Sequence, residues 1–309
     1  MRKFLLGSLS LILLGAVAFS GGVQSQAQAA GPLDKFVYLP MVSKQGCPTT
    51  SSNTYFNGLV LQIDGDIPVR PKNTHAGKNF DLRGYAQRTV GFATTLIDFG
   101  SNSGDPGGTP PQFDSLFDSG DRVQLSGNYY QMYDWNYDQS PNPGTRGALI
   151  DDDQRKISAL GLATTQGEII QVPSASREIN PGYVAILLWA DSDSLTMGFT
   201  RGDSTAIGYA VYIDNLCVDV NLLSLYNSLD TGNRYVFSGV NSETYNLPYL
   251  AIGQNIGTAK GTQIVVAVTD NGAFQDPRSC RGWWTDYQNN TSICPDRDPG
   301  NGIVRLPTD

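Results

Sequence analysis

Histidine is almost missing from this chain: 309 residues hold one, His75. A zinc site needs three or four converging His, Cys or carboxylate ligands, so a conventional catalytic zinc centre is not expected. A Ser-His-Asp mechanism would have to use His75 as its base, and no G-x-S-x-G elbow accompanies it. His75 is therefore read as a solvated residue of the turn-like stretch Pro71–Gly77. Charge is also in short supply, at 16% of residues against the usual quarter, and the balance is acidic at −8. Such a surface repels phosphate backbones and anionic lipid heads, which argues against nucleic acid as a partner. Past residue 19 no apolar run approaches the ~20 residues that span a bilayer, so no membrane insertion is expected of the mature chain.

What is abundant points to strands and turns. Glycine (34), proline (17) and tyrosine (15) are plentiful while lysine and glutamate are few, a balance suited to an extracellular all-β fold. Met1-Arg2-Lys3 is a short basic region, Phe4 to Phe19 an apolar core, and Ala27-Gln28-Ala29 a small-residue cleavage site. Residues 1–29 are accordingly read as a signal peptide, and the mature protein as secreted, extracellular or held at the cell surface. The four cysteines include no C-x-x-C pair and allow three pairings. Cys280 and Cys294 bracket a polar loop, and closing a loop of that length stabilises by about 3 kcal/mol in the chain-entropy picture. The expected bridges are Cys280–Cys294 and Cys47–Cys217.

Residues 30–46 read as a linker containing the apolar run Lys35–Val42. A first β-rich region is expected over 47–156, with strands at Leu59–Ile63 and Val90–Phe99 and plain Gly/Pro/Ser loops at 100–111 and 140–144. From residue 157 the pattern tightens. Strand-like runs fall at Glu168–Val172, Tyr183–Ala190, Leu195–Thr200, Ala206–Ile213 and Gln263–Thr269, separated by Asp, Ser, Gly and Asn turns. Asn221–Leu229 is the one convincing short helix, with Leu222, Leu225, Tyr226 and Leu229 on one face. The expected class is mainly antiparallel sheets or a sandwich with one short helix. Residues 286–309 form a disulfide-tied tail.

Several stretches carry candidate chemistry. In Tyr129–Tyr137, strand alternation puts Tyr133, Trp135 and Tyr137 on one face and Asp134 and Asn136 on the other. An exposed row of such rings stacks on sugar faces, whereas the stronger competing reading makes them the core face of a sheet. Trp283 and Trp284 likewise cover either an edge or a ligand. Asp134, Asn136 and Asp138 match the D-x-N-x-D start of a calcium loop, but Gln139 and Thr145 stand where Gly and Glu belong. Asp64/Asp66 and Asp191/Asp193 are similar doublets, and local turn bonding is the favoured account of all three. Arg201-Gly202-Asp203 spells an integrin tripeptide at a hairpin tip, a short match that ordinary turn chemistry explains. No particular pair among the 29 acids is singled out for two-carboxylate hydrolysis.

Gly261–Gly272, with an Asn271-Gly272 turn and followed by Asp276-Pro277, resembles the closing strand of lysostaphin-type zinc peptidases. Ile252–Gly257 is similar to that family's V-G-Q-x-I-G approach. Gly208–Ile213 with Leu225–Leu229 is similar to its strand and Y-x-H-L element. The resemblance covers residues 157–285 and implies a duplicated-hybrid-motif fold. It places the family's zinc histidines on Gln263, Val265 and Ser228, which implies that metal and peptidase activity are absent. The resulting expectation is a non-catalytic binding or surface-structural module for cell-wall or other polysaccharide, without a cofactor unless calcium binds. A glycan hydrolase using two carboxylates is the alternative.

Overall fold

The computed structural model describes residues 46–61, 76–89, 91, 94–98, 108–119, 122–136, 144–151, 156–202, 204–229, 235–237 and 243–295. In chain order its first strands are β1 (Phe56–Leu61), β2 (Tyr85–Arg88), β3 (Leu125–Asn136), β4 (Thr145–Leu149) and β5 (Ala159–Ala163). Next come β6 (Ile169–Gln171), β7 (Ala185–Ala190), β8 (Leu195–Arg201), β9 (Ser204–Asp214) and β10 (Leu216–Val218). The last are β11 (Tyr235–Phe237), β12 (Glu243–Leu250), β13 (Asn255–Ala259), β14 (Gln263–Asp270) and β15 (Ala273–Phe274). Helix α2 (Val220–Leu229) runs for 10 residues, while α1 (Phe80–Arg83) and α3 (Cys280–Trp283) are single turns.

The chain is mainly antiparallel β, as its composition and turn spacing predict. A large sheet runs β1-β12-β7-β8-β9-β14-β5-β3-β2, with β4, β11 and β15 on its margins, and a small sheet runs β10-β13-β6. The boundary expected at 156/157 does not separate two sheets. Strand β3 pairs with β5, and β1 pairs with β12, so both regions hydrogen-bond into the same large sheet. Among the described residues of the expected strand Val90–Phe99 (91 and 94–98), none belongs to a named strand, and Ile97 makes an isolated bridge to Ser279.

Both faces of the large sheet are closed over its central strands. On β14, Ile264, Val266 and Val268 enter one core while Val265 and Ala267 enter the other. The same split runs through β7 and β9, where Leu187, Val211 and Ile213 face the first core and Ile186, Ala210 and Tyr212 the second. Double-sided burial explains why these strands read as unbroken apolar runs rather than alternating ones. The first core is covered by the small sheet (Ile170, Leu216, Ile256), by Leu222 and Tyr226 of α2, and by the C-terminal segment. The second is covered by Phe80 of α1, Tyr85 and Phe274. Asn271 (φ 48°) and Gly272 (φ 80°) make the tight turn between β14 and β15, as the Asn-Gly pair predicts.

The C-terminal segment works as a plug. Trp283 and Trp284 are 2% and 0% exposed, and their indole N–H groups donate to the carbonyls of Asp276 (3.0 Å) and Pro277 (2.8 Å). Phe113 packs against both rings, and Tyr209 meets Trp283 edge-on at 5.7 Å. A fully buried pair, Arg278 Nη2 to Asp276 Oδ2 at 2.5 Å and Nε to Oδ1 at 2.9 Å, fixes the turn that launches α3. Gln112 ties the plug to the preceding loop: its amide donates to Gly282 O, and its carbonyl accepts from Thr285 N and Oγ1. Both expected disulfides are present, Cys280–Cys294 and Cys47–Cys217, with Cα separations of 6.2 and 5.2 Å.

A buried charge stripped of its partner costs about 3–5 kcal/mol. Arg278→Met is therefore expected to lower unfolding free energy by about 3 kcal/mol or more in urea, with the m-value unchanged. A loss below about 1 kcal/mol would show that the pair does not hold the plug.

Candidate functional site

Polar side chains excluded from the two cores collect at one end of the large sheet. The end of β7, the start of β8, the end of β9 and the start of β14 all meet there. They bring together Asp191, Asp193 and Ser194 from the β7–β8 turn, Asp214 from β9, Gln263 from β14 and Lys260 from the approach to β14. The loop carrying α1 crosses the same end. Gly77 O accepts from Tyr212 Oη and Lys78 O from Thr196 Oγ1, each at 2.5 Å, which sets Asp81 beside Asp191.

The turn Asp191–Ser194 is closed by Asp191, whose Oδ1 accepts from the N–H groups of Asp193 (2.8 Å) and Ser194 (2.9 Å). Asp193 pairs with Lys260 and accepts from Ser192 Oγ at 2.8 Å. The lysine bond holds the Asp193 carboxyl below its usual range, and the same bond raises Lys260. Asp214 accepts from Tyr85 Oη (2.7 Å) and from Asn215 N (2.6 Å). Burial, followed by the Asp214 charge, pushes the Tyr85 phenol up. The Asp81 carboxyl is pushed up to about 6, first by desolvation and then by the charges of Asp214, Asp191 and Asp193, with a hydrogen bond to Asp191 adding to the shift. Four aspartates face one lysine here.

Beside the acids lies an amide and hydroxyl network. Gln263 Oε1 accepts from Asn128 Nδ2 (2.7 Å) and Ser126 Oγ (2.9 Å), and Gln263 Nε2 donates to Tyr130 Oη (2.8 Å). Asn215 Nδ2 bonds Gln263 O, linking this network to the neighbour of Asp214. Tyr85 and Tyr130 meet edge-on at 5.0 Å. Gly161 leaves room for it all: a Cβ there would lie 2.3 Å from Ser126 Oγ and 2.8 Å from Gln263 Oε1.

The positions expected from sequence fall elsewhere or come apart. Trp283 and Trp284 lie within the core, where no sugar ring reaches them, so they are structural and not ligand-binding. Trp135 is 7% exposed, and Tyr133 is partly covered by Arg146, whose guanidinium lies 5.0 Å from its ring centre. Their strand is bulged between these two residues, which breaks the expected stripe; Tyr137 lies outside the described residues. Asp134 Oδ1 accepts from Trp135 N at 2.8 Å and pairs with Arg83 at 3.3 Å, so a cation already attends it. Asn136 ends β3, and Asp138, His75, Asp64 and Asp66 lie outside the described residues. Among the described residues no three His, Cys, Asp or Glu side chains gather as a metal site. Arg201 pairs with Asp270 at 3.4 Å, and Asp203 is outside the described residues.

The three positions matched to peptidase ligands do not share a groove. Gln263 and Val265 occupy the face of β14 turned to the second core. Ser228 is exposed on α2, which packs against the first core through Leu222 and Tyr226. Ser228 Oγ donates to Leu225 O at 2.7 Å.

A concavity of about 250 Å³ opens near the Cys47–Cys217 bridge, between Pro48–Asn53 and Asp219 at the start of α2. Its carboxylate is fully engaged, accepting from Ser51 Oγ, Asn53 Nδ2 and the N–H groups of Asn221 and Leu222. At that cleft Asp219 caps the helix and anchors the strap Ser51–Asn53.

No motif singles out Asp81, Tyr85, Asn128, Asp214 or Lys260, and Asp191/Asp193 reads only as a turn doublet. One signal is available in the sequence. Apolar runs repeatedly stop at an acid or amide on what becomes the same sheet end: Ala190 to Asp191, Ile213 to Asp214, Gln263 to Ile264. No protein-family model, curated protein or solved structure matches the chain.

Because Asp81 is raised from 3.8 to about 6, the folded protein holds the extra proton between those values. Its stabilising contribution is complete below about pH 4 and is lost as pH rises through about 6. Asp81→Asn is expected to gain on the order of 1 kcal/mol at pH 7.5, after discounting for solvent access, and nothing at pH 4. Thermal melts at the two pH values check this; an equal shift at both contradicts it.

Proposed function

We propose that this chain is an exported, non-catalytic binding module whose ligand is a polysaccharide or cell-wall glycan, held at the acidic end of the large sheet. The observation that carries the reading is the convergence of Asp81 from α1, Asp191 from the β7–β8 turn, and Asp214, Tyr85, Gln263 and Asn128 from four strands onto one rim. Carboxylates and amides fixed on strands present acceptors in a rigid array, which suits a ligand rich in hydroxyl donors. Export is supported by the basic and apolar N-terminus together with two disulfides, which suit an oxidising compartment. Among the described residues no helix is long and apolar enough to cross a membrane. The peptidase resemblance contributes no groove to this reading, because its positions lie on opposite sides of the sheet.

Glycan hydrolysis is a second reading, favoured by a carboxyl that titrates near 6 beside other acids. Asp81 and Asp191 share a hydrogen bond, whereas glycosidase pairs stand about 5–9.5 Å apart. A hydrolase would have to pair Asp81 with Asp214 instead.

Polysaccharide pull-downs and arrays with the purified chain test the proposal. Binding is expected to fall about tenfold or more in Gln263→Ala and Asp214→Asn, to survive chelator, and to occur without release of reducing ends. Release of reducing ends that stops in Asp81→Asn would establish the hydrolase instead.

A further inference from the structure

Among the described residues, two buried polar atoms near the acidic end have no hydrogen-bond partner, Trp189 Nε1 and Ser194 Oγ, and the second lies on the turn between the acids. Ser194 is 0% exposed, and its Oγ has no hydrogen-bond partner. A buried hydroxyl left unpaired is costly, so such a group in a folded protein asks for a missing partner. Its direction follows from the strand alternation. Leu195 and Met197 enter the first core, and Thr196 turns to the other face to bond Lys78 O. Ser194 therefore shares the face of Thr196, beneath the loop that carries Asp81. On the neighbouring strand Asp214 occupies that face too, where it accepts from Tyr85. The hydroxyl thus lies on the same face as Asp214, under the loop that carries Asp81 and within the turn closed by Asp191.

Resting on the reading of this rim as a glycan site, we infer that the glycan carries free primary amino groups, and that one ammonium binds between Asp81 and Asp191 and donates to Ser194 Oγ. Charge selects this class. Four aspartates against Lys260, on a chain of net charge −8, repel polymers bearing uronate or phosphate. A neutral glycan gains nothing from the excess charge. An ammonium has three donors, and its bonds to ionised carboxylates are the charge-assisted kind. The acids do not gather as a metal site, but two carboxylates and one hydroxyl match the three donors of an ammonium. The exchange balances. A neutral Asp81 carboxyl bonded to the Asp191 carboxylate meets R–NH3+; the ammonium ends between two carboxylates, and one proton leaves to solvent. Asp193 remains neutralised by Lys260, and Asp214 remains held by Tyr85.

Titration calorimetry of the full chain at pH 6 against three probes tests this: a fully deacetylated glucosamine hexamer, its N-acetylated counterpart and spermidine. The deacetylated hexamer is expected to bind at least tenfold tighter than either. Proton release should appear as a heat that depends on buffer ionisation. Ser194→Ala removes no hydrogen bond from the empty protein, so its melting temperature should hold while affinity falls fivefold or more. Asp191→Asn keeps the turn-closing acceptor and should lose binding, whereas Asp118→Asn on another surface should not. Equal affinity for the two hexamers overturns the amine assignment and leaves the glycan reading standing. Binding of neither hexamer overturns both, and spermidine binding as tightly as the hexamer shows that the site reads amine charge without glycan.

Discussion

Strand β14 has no solvent-facing side between Ile264 and Val268, and the layout of the molecule depends on that. A strand covered on both faces has no place for a polar side chain except at its ends. Burying a carboxylate midway would cost several kcal/mol unless it were paired. The strands beside it obey the same rule, so Asp191, Asp214 and Gln263 stand where apolar runs stop. Antiparallel pairing then stacks those stops on one rim. The acidic end is thus a by-product of two-sided burial that also makes a site.

Covering two faces requires two sets of lids, and the chain builds them differently. The first face takes a second small sheet, a helix and a tryptophan plug whose internal charges, Asp276 and Arg278, are matched to each other. Over the second face lie short pieces: one turn of helix, a hairpin return and aromatic rings such as Phe80 and Phe274. The thinner cover brings Asp81 over the rim. Desolvation there raises its carboxyl, whereas Asp193, bonded to Lys260, is lowered. Acids on one rim thus carry different proton affinities because of what each touches.

Much of the fold is legible in the sequence because its signals are local. The run Gln263–Thr269, the Asn271-Gly272 turn, the helix at Asn221–Leu229 and both cysteine pairings appear in the structure nearly as read. The two expected domains do not separate, since pairing of β3 with β5 is a long-range fact that no periodicity encodes. The site is largely hidden for the same reason. Asp81, Asp191 and Asp214 lie up to 133 residues apart and meet only through strand register. The aromatic residues mislead in the opposite sense. A tryptophan pair beside a cysteine reads equally as platform or plug until its neighbours are known, and Phe113 and Tyr209 decide for plug.

Hydrogen–deuterium exchange of the full chain, with and without the deacetylated glucosamine hexamer, reads the location of binding directly. Slowed exchange is predicted at residues 80–85, 191–194, 214–215 and 260–263, with the cleft at 48–53 and the β3–β4 segment unchanged. Protection at 48–53 or along β3 and β4, with the acidic rim unaffected, would contradict the account.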